Sequence, residues 1–329
     1  MKIRDRSLST LVAELRGRAE LDLKRDIQIA ARAFGKTTES AWLPAGHIAN
    51  GDDTAAIASP NGDGFTLFAA EGMRPEFIAH DPWFAGFCSV MVNLSDIAAM
   101  GGRPWAVVDV LFLGTGENQR VLEGMTAASE MFGVPVVGGH TARVTTGTML
   151  AVSVVGHARR LISGHAARPG DAVLVAFDLR GSFRGSGGNW NAATTASPKQ
   201  LRSNLAVLPE LAEAGLVRAG KDISMAGTCG TLAMLLETSG CGARLDLGRV
   251  PAPPDVDSLR WLTAFPSFGF VLTADPAVAP KICGRFDAAG VACAVAGEVT
   301  AGSALILEHE GERAAYWDRS TGPLTGFGT

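Results

Sequence analysis

The sequence contains no run of eighteen apolar residues, so no part of it reads as a membrane span. It also lacks an excess of basic residues. The 29 Lys and Arg stand against 33 Asp and Glu, a net charge of −4, which argues against nucleic acid or an anionic membrane as a partner. The five cysteines, at 88, 229, 241, 283 and 293, form no Cys-x-x-Cys pair and are odd in number. That usage fits buried thiols in a reducing cytoplasm better than a disulfide framework. No apolar core of signal-peptide length follows Met1-Lys2-Ile3-Arg4-Asp5-Arg6. Tandem repeats and low-complexity tracts are absent. So is the phosphate-binding pattern Gly-x-x-x-x-Gly-Lys-Ser/Thr, so any nucleotide has to be held by other means.

What is present is a chain of 329 residues, 47% of them apolar, with mean hydropathy +0.18. This length favours two domains, and the hydropathy leaves apolar surface for an oligomer interface. A polar connector at 158–170, with Arg159-Arg160 and Arg168-Pro169-Gly170-Asp171, divides the chain into 1–160 and 165–329. Helical spacing is expected over 8–34, 82–100, 118–132, 198–216, 226–239 and 277–289. Strands are expected at 65–70, 105–113, 134–137, 148–156, 172–177, 243–247, 268–274, 292–297 and 303–308. Arg180–Ser197, rich in Gly, Asn, Ser and Thr with Trp190 inside it, reads as a long mobile loop and a candidate lid.

Chemistry concentrates in a few places. Gly51-Asp52-Asp53 puts two carboxylates on a turn just before the apolar segment Thr54–Ile57. Asn93 and Asp96 form an i,i+3 polar pair inside an otherwise apolar helix, where an unpartnered carboxylate is expensive. Clustered acids are tolerated when a cation compensates them, and hard oxygen ligands suit Mg²⁺ carried with phosphates. Glu71 ends a strand and reads equally as an ordinary charge or a further ligand. Gly138-Gly139-His140-Thr141 follows a short strand; the glycines let backbone approach a ligand, while His140 reads as a ligand, a phosphate contact or a core residue. Asp222, Ser224 and Gly227 open a helix whose free N–H groups suit an anion, or whose first turn Asp222 or Ser224 simply caps. The other histidines, at 47, 80, 157, 165 and 309, show no metal-ligand spacing.

These motifs, in this order, resemble the superfamily of aminoimidazole ribonucleotide (AIR) synthetase. Its members include thiamine-monophosphate kinase, selenophosphate synthetase, the hydrogenase-maturation dehydratase and the synthetase domains of formylglycinamidine ribonucleotide synthase. The strings that carry the resemblance are 51–57, 93–104, 138–141, 168–171, Asp222-Ile223-Ser224 with Gly227, and 239–243. The likeness is greatest to the "AIR synthase-related" branch. It implies an α+β fold of two AIR-synthetase-like domains, the first pairing strands across a homodimer and the second closing a cleft. It also implies ATP with Mg²⁺ on the acidic cluster, and phosphoryl transfer to an oxygen of a small-molecule acceptor by a kinase or a synthetase. Carried over by position, Asp52, Asp53, Glu71 and Asp96 become metal ligands. Asp53, Asp96 and His140 become catalytic. Asn93, Gly138, Gly139, Asp222, Ser224 and Gly227 become nucleotide-binding. The chain departs from its relatives at Glu71, where many carry Asp, at His140, where the kinases carry Asp, and at Met225, where the kinases carry a second acid. Those departures motivate one alternative, a nucleotide-binding subunit without its own turnover; a structural protein with a decayed site is a further one.

Overall fold

The computed structural model describes residues 3, 6–34, 38–43, 50–265 and 269–327; His47 lies outside them. The chain forms two compact units. One comprises Met1–Asp53, Ile162–Thr195 and Leu211–Thr329, and the other Thr54–Leu161 with Ala196–Glu210. An N-terminal domain taken as 1–160 includes Met1–Asp53, but the contacts of that segment lie with residues beyond Ile162. The cause is the apolar stripe of its first helix. Leu8, Leu11, Val12 and Leu15 are buried in one core with Val173, Leu305, Leu307 and Tyr316. The helical pattern over 8–34 is three helices, α1 (Leu8–Arg16), α2 (Ala19–Arg25) and α3 (Ile27–Phe34). Ser7 caps α1 by accepting from the Thr10 N–H, and Gly17 ends it.

The unit beginning at Thr54 is a five-stranded sheet with helices on one face. Its strands are β1 (Ala55–Ala58), β2 (Phe65–Met73), β3 (Arg103–Thr115), β4 (Val136–Gly147) and β5 (Met149–Ala158), in the order β1-β2-β5-β3-β4. β3 and β4 run parallel and the other pairs antiparallel. Helices α4 (Pro75–His80), α5 (Pro82–Ala99), α6 (Asn118–Phe132) and α7 (Pro198–Glu213) complete it. The α5 helix is apolar almost all round, as a helix buried between a sheet and another helix must be. It meets α6 backbone to backbone. A Cβ on Gly86 would fall 2.0 Å from the Val121 carbonyl oxygen, and one on Gly124 1.9 Å from that of Trp83. Leu67, Leu111, Val152 and Val154 are buried on the helix-covered face. The other face carries Phe68, Trp105, Val110 and Met149, which are 51%, 56%, 40% and 39% exposed. These side chains form an exposed apolar patch on one sheet face.

The other unit is built on seven strands: β6 (Ala172–Phe177), β9 (Ala219–Asp222), β10 (Gly242–Asp246), β11 (Gly269–Ala274), β12 (Ala292–Thr300), β13 (Ala304–His309) and β14 (Glu312–Asp318). Their order is β14-β13-β10-β12-β6-β11-β9, antiparallel except where β10 pairs with β13. Helices α8 (Gly227–Ser239), α9 (Ser258–Leu262) and α10 (Ala279–Ala288) pack on it. The Glu237 carboxylate of α8, 3% exposed, accepts from the N–H groups of Leu324 and Thr325 at 2.8 Å, that of Gly326 at 3.3 Å and the Thr325 hydroxyl at 2.7 Å. The Arg180–Ser197 segment is no open loop. It holds a small hairpin, β7 (Ser182–Phe183) and β8 (Trp190–Asn191). Trp190 is buried against Trp261, donates its indole N–H to the Asp178 carbonyl, and meets Phe183 edge-on. Arg260 covers Phe183 and donates to the carbonyls of Gly185 and Gly187. An aromatic cluster with its polar tips satisfied pins this segment.

Among the described residues, no helix is long and apolar enough to cross a membrane. All five cysteines are free thiols. Cys88, Cys229 and Cys241 are buried, whereas Cys283 and Cys293 are half-buried and face each other, Sγ to Sγ, at 3.6 Å.

Candidate functional site: an acidic turn braced by a buried lysine

The Gly51-Asp52-Asp53 turn belongs to the seven-stranded unit. Gly51 has φ +108°, and a Cβ there would lie 2.8 Å from Phe327 Cβ, so the position takes glycine. The two acids that follow do different things. Asp52 is tied into the loop after Ile162, accepting from the Ser163 hydroxyl at 2.7 Å and the Gly164 N–H at 2.5 Å. Burial pushes its carboxyl above the usual range, against the lowering by Ser163, Lys221 and Gly164. Asp53 instead points at the end of β9. One of its oxygens accepts from the Lys221 ammonium and the other from the Asp222 N–H at 3.0 Å. Burial works against the charge on Lys221. The Asp53, Asp52 and Asp222 carboxylates outweigh it and hold the ammonium above its ordinary pKa.

Beyond Asp222 the chain turns into α8. The Gly227 N–H bonds the Ser224 carbonyl, with Gly227 at φ +68°; a Cβ there would sit 2.0 Å from the Leu262 carbonyl oxygen. Neither Asp222 nor Ser224 caps α8, which has Ala226 at its N-cap and no side-chain bond to its first turn. The hydroxyls of Ser224 and Thr228 are buried without a hydrogen-bond partner among the described residues. A helix start with unsatisfied N–H groups and two hydroxyls beside it is suited to an anion.

The remaining sequence-derived residues lie in the five-stranded unit. Asn93 is fully buried on α5; its amide N–H donates to the Ser89 carbonyl at 2.8 Å, and its Oδ1 has no partner among the described residues. Asp96, one turn on, is 6% exposed. Glu71 pairs with Val152 in the β2–β5 register, on the α5 side of the sheet, and is exposed. His140 pairs with Val110 and lies edge-on to Phe112 at 6.4 Å. Its side chain therefore stands on the exposed face, with the sheet between it and α5, and the structure does not bring it to Asp96. The two glycines before it have different surroundings. A Cβ on Gly138 would only touch Val108 at 4.0 Å, whereas one on Gly139 would fall 2.4 Å from the Asp109 carboxylate, so Gly139 makes room for Asp109.

Two residues escaped the sequence reading. Asp109, whose carboxyl burial pushes up, had a legible signal, a carboxylate inside the apolar run Val107–Leu113. Lys221 had little signal, because its partner Asp53 is 168 residues away.

Asp53 and Asp222 present carboxylate oxygens within 4.8 Å of each other. Two oxygens on one Mg²⁺ at 2.0–2.1 Å are at most about 4.2 Å apart, a separation comparable with that 4.8 Å ceiling. The donor set is hard oxygen, and an ammonium already stands against Asp53 as a positive charge. These residues fit a divalent cation.

The chain is 42% identical over 323 residues to the Synechocystis protein sll0787, covering 97% of this chain and 98% of that one. It is 30% identical over 265 residues to the carbamoyl dehydratase HypE of Cupriavidus necator, covering 74% and 69%. The fold matches Thermotoga maritima PurL, solved in complex with ATP, at a TM-score of 0.71 and 18% identity; the match covers 97% of this chain and 54% of PurL. The AIR synthase related N-terminal domain matches residues 51–158 and its C-terminal domain residues 162–310, and the chain belongs to that family.

Proposed function

We propose that this protein is an ATP- and Mg²⁺-dependent enzyme that transfers the γ-phosphoryl group to an amide or carboxyl-like oxygen of a small molecule. Family membership and the relationship to HypE support the reaction class. A dehydratase acting on a carbamoyl group has to turn an amide oxygen into a leaving group, and phosphorylation does so. Retention of the phosphate on the acceptor, as in a kinase, is the other outcome of the same transfer.

The single observation that carries the reading is the Asp53–Asp222 pair in front of an uncapped helix N-terminus. Asp53 and Asp222 would hold the metal, which supplies charge neutralisation to the triphosphate. Ser224, Thr228 and the first N–H groups of α8 would bind phosphate oxygens. Asp52 fixes the turn through Ser163 and Gly164 and is not assigned to the ion. Within the five-stranded unit, the family resemblance offers Asp96 and Glu71 as candidate metal ligands and Asn93 as a polar group beside Asp96. The work of these residues is positioning and electrostatic stabilisation, which dominate phosphoryl transfer.

The exposed apolar face of the five-stranded sheet supports a homodimer, and His140 then belongs to the subunit interface.

Calorimetric titration of ATP with and without Mg²⁺, on the wild type and on Asp53→Asn, tests the site. Mg²⁺-dependent binding that the variant loses is expected. Absence of ATP binding in the folded wild type refutes the reading. Tight binding without ADP formation across a panel of carboxamides and carboxylates would favour the nucleotide-binding subunit.

A further inference from the structure

Phosphoryl transfer by two carboxylates and a helix N-terminus does not require a lysine at 221, yet the fold buries one there. The Lys221 side chain is 9% exposed, and its ammonium meets an Asp53 side chain that is 6% exposed. The Asp52 and Asp222 carboxylates add their field to the same ammonium. One cation thus faces three carboxylates. Burying an ion pair in this way is seldom the most stable solution, since well-packed apolar residues of the same volume often do as well or better. Its benefit is geometric. The ammonium fixes one Asp53 oxygen while the Asp222 N–H fixes the other, so the carboxylate is clamped at the end of β9 from both sides.

We propose that Lys221 is a positioning residue that serves as the resident counter-cation of the acidic turn. It holds Asp53 in its ligating place in the ion-free protein and gives up or shares that oxygen when a divalent cation enters. The inference rests on the metal reading above. Its consequence is a pair of effects of opposite sign. Removing the ammonium loosens the ion-free turn, and it also removes the cation that competes with Mg²⁺ for the same carboxylate oxygen. A lysine that only props up the fold would move both quantities the same way.

The test uses the full-length wild type with Lys221→Met and Lys221→Arg. Thermal unfolding is followed with and without Mg²⁺, and Mg²⁺ binding is measured by calorimetry without nucleotide. For Lys221→Met the expected result is a lower midpoint without divalent cation, a larger Mg²⁺-induced rise, and Mg²⁺ affinity about tenfold or more above wild type, because a like charge at contact distance has gone. Lys221→Arg, which keeps the charge, stays near wild type in Mg²⁺ affinity. Unchanged or weaker Mg²⁺ binding in Lys221→Met overturns the proposal. So does intact Mg²⁺ binding with ATP binding lost, which would assign the lysine to the nucleotide. If Lys221→Met does not fold, Lys221→Gln, which keeps a donor without the charge, takes its place with the same expectations. A folded wild type that binds neither Mg²⁺ nor Mg²⁺-dependent ATP defeats the metal reading itself. Unchanged affinity in the variant beside a wild type that binds defeats only the role of the lysine.

Discussion

Glu237 offers a quantitative test of how the seven-stranded unit is held together. Its buried carboxylate accepts from three consecutive backbone N–H groups, those of Leu324, Thr325 and Gly326, and from the Thr325 hydroxyl. Hydrogen bonds to a charged acceptor contribute roughly 1.5–3 kcal/mol each, so their sum is an upper limit that Glu237→Ala does not reach. The segment can instead peel into water and recover hydration for its donors. Peeling exposes Leu324, which is fully buried, at about 1.5–3 kcal/mol. Glu237→Ala is therefore expected to cost roughly 3 kcal/mol, which in a unit of about 200 residues lowers its melting temperature by roughly 6–12 °C. Glu237→Gln is milder. Its amide can donate to the Thr325 hydroxyl while its oxygen keeps Leu324 and Gly326, leaving only the Thr325 N–H without an acceptor, a cost of about 1–3 kcal/mol. Calorimetry gives the melting temperatures, and hydrogen exchange at Leu324–Gly326 reports whether the segment has detached. If Glu237→Ala melts within a degree of wild type and those amides stay protected, the reasoning is wrong.

Other expectations follow from the same geometry. Burial raises the Asp109 carboxyl above the 3.8 usual for an aspartate. Its favourable contribution is complete below 3.8 and is lost as pH rises through the higher folded value. Asp109→Asn should thus gain stability relative to wild type as pH is raised from about 3.8 towards neutrality; parallel lines in pH-dependent denaturant titrations refute this. Val110→Lys, placed in the exposed apolar face, should halve the mass seen by light scattering, whereas a wild type that is monomeric at all concentrations removes the dimer. Diamide should join Cys283 to Cys293, whose sulfurs are 3.6 Å apart, with loss of two hydrogens in the peptide map. Cys283→Ser should abolish that product, and free thiols persisting under diamide count against it.

The parts of the molecule that could be read from sequence are those where local pattern and tertiary environment agree. The α5 helix is apolar on all sides with Asn93 and Asp96 within it, and both features survive in the fold because the helix is wrapped by sheet and α6. The boundaries of α6, β6 and α8 were visible for the same reason. What stayed hidden depends on distant partners. Nothing near Arg180–Ser197 announces that Trp190 will bury itself against Trp261, so composition alone suggested a mobile loop. The amphipathic stripe of 8–34 shows helix but not its breaks, which Gly17 and Asp26 impose. The residues leave His140 open as a ligand, a phosphate contact or a core residue, and only the family resemblance makes it catalytic. Its register opposite Val110 turns it to the other side of the sheet, and Gly139 owes its identity to Asp109. At the site, Gly51-Asp52-Asp53 was legible as an acidic turn. The division of labour between Asp52, bound to Ser163 and Gly164, and Asp53, bound to β9, was not, because it is decided by residues more than a hundred positions away.

The discontinuity of the seven-stranded unit has a consequence for how the chain acquires its structure. The first helix docks on β13 and β14, its Leu8 N–H bonding the Glu312 carboxylate at 3.1 Å. During synthesis at roughly 5–20 residues per second, β14 emerges some 15–60 s after α1 has left the ribosome. The intervening Thr54–Leu161 stretch carries a complete sheet and three of its four helices, and it can collapse in that interval. The N-terminal segment has to wait, with Leu8, Leu11, Val12 and Leu15 uncovered, until the last strands arrive. Those four side chains are where a nascent-chain chaperone would be expected to bind, and where slowed translation downstream would be felt first.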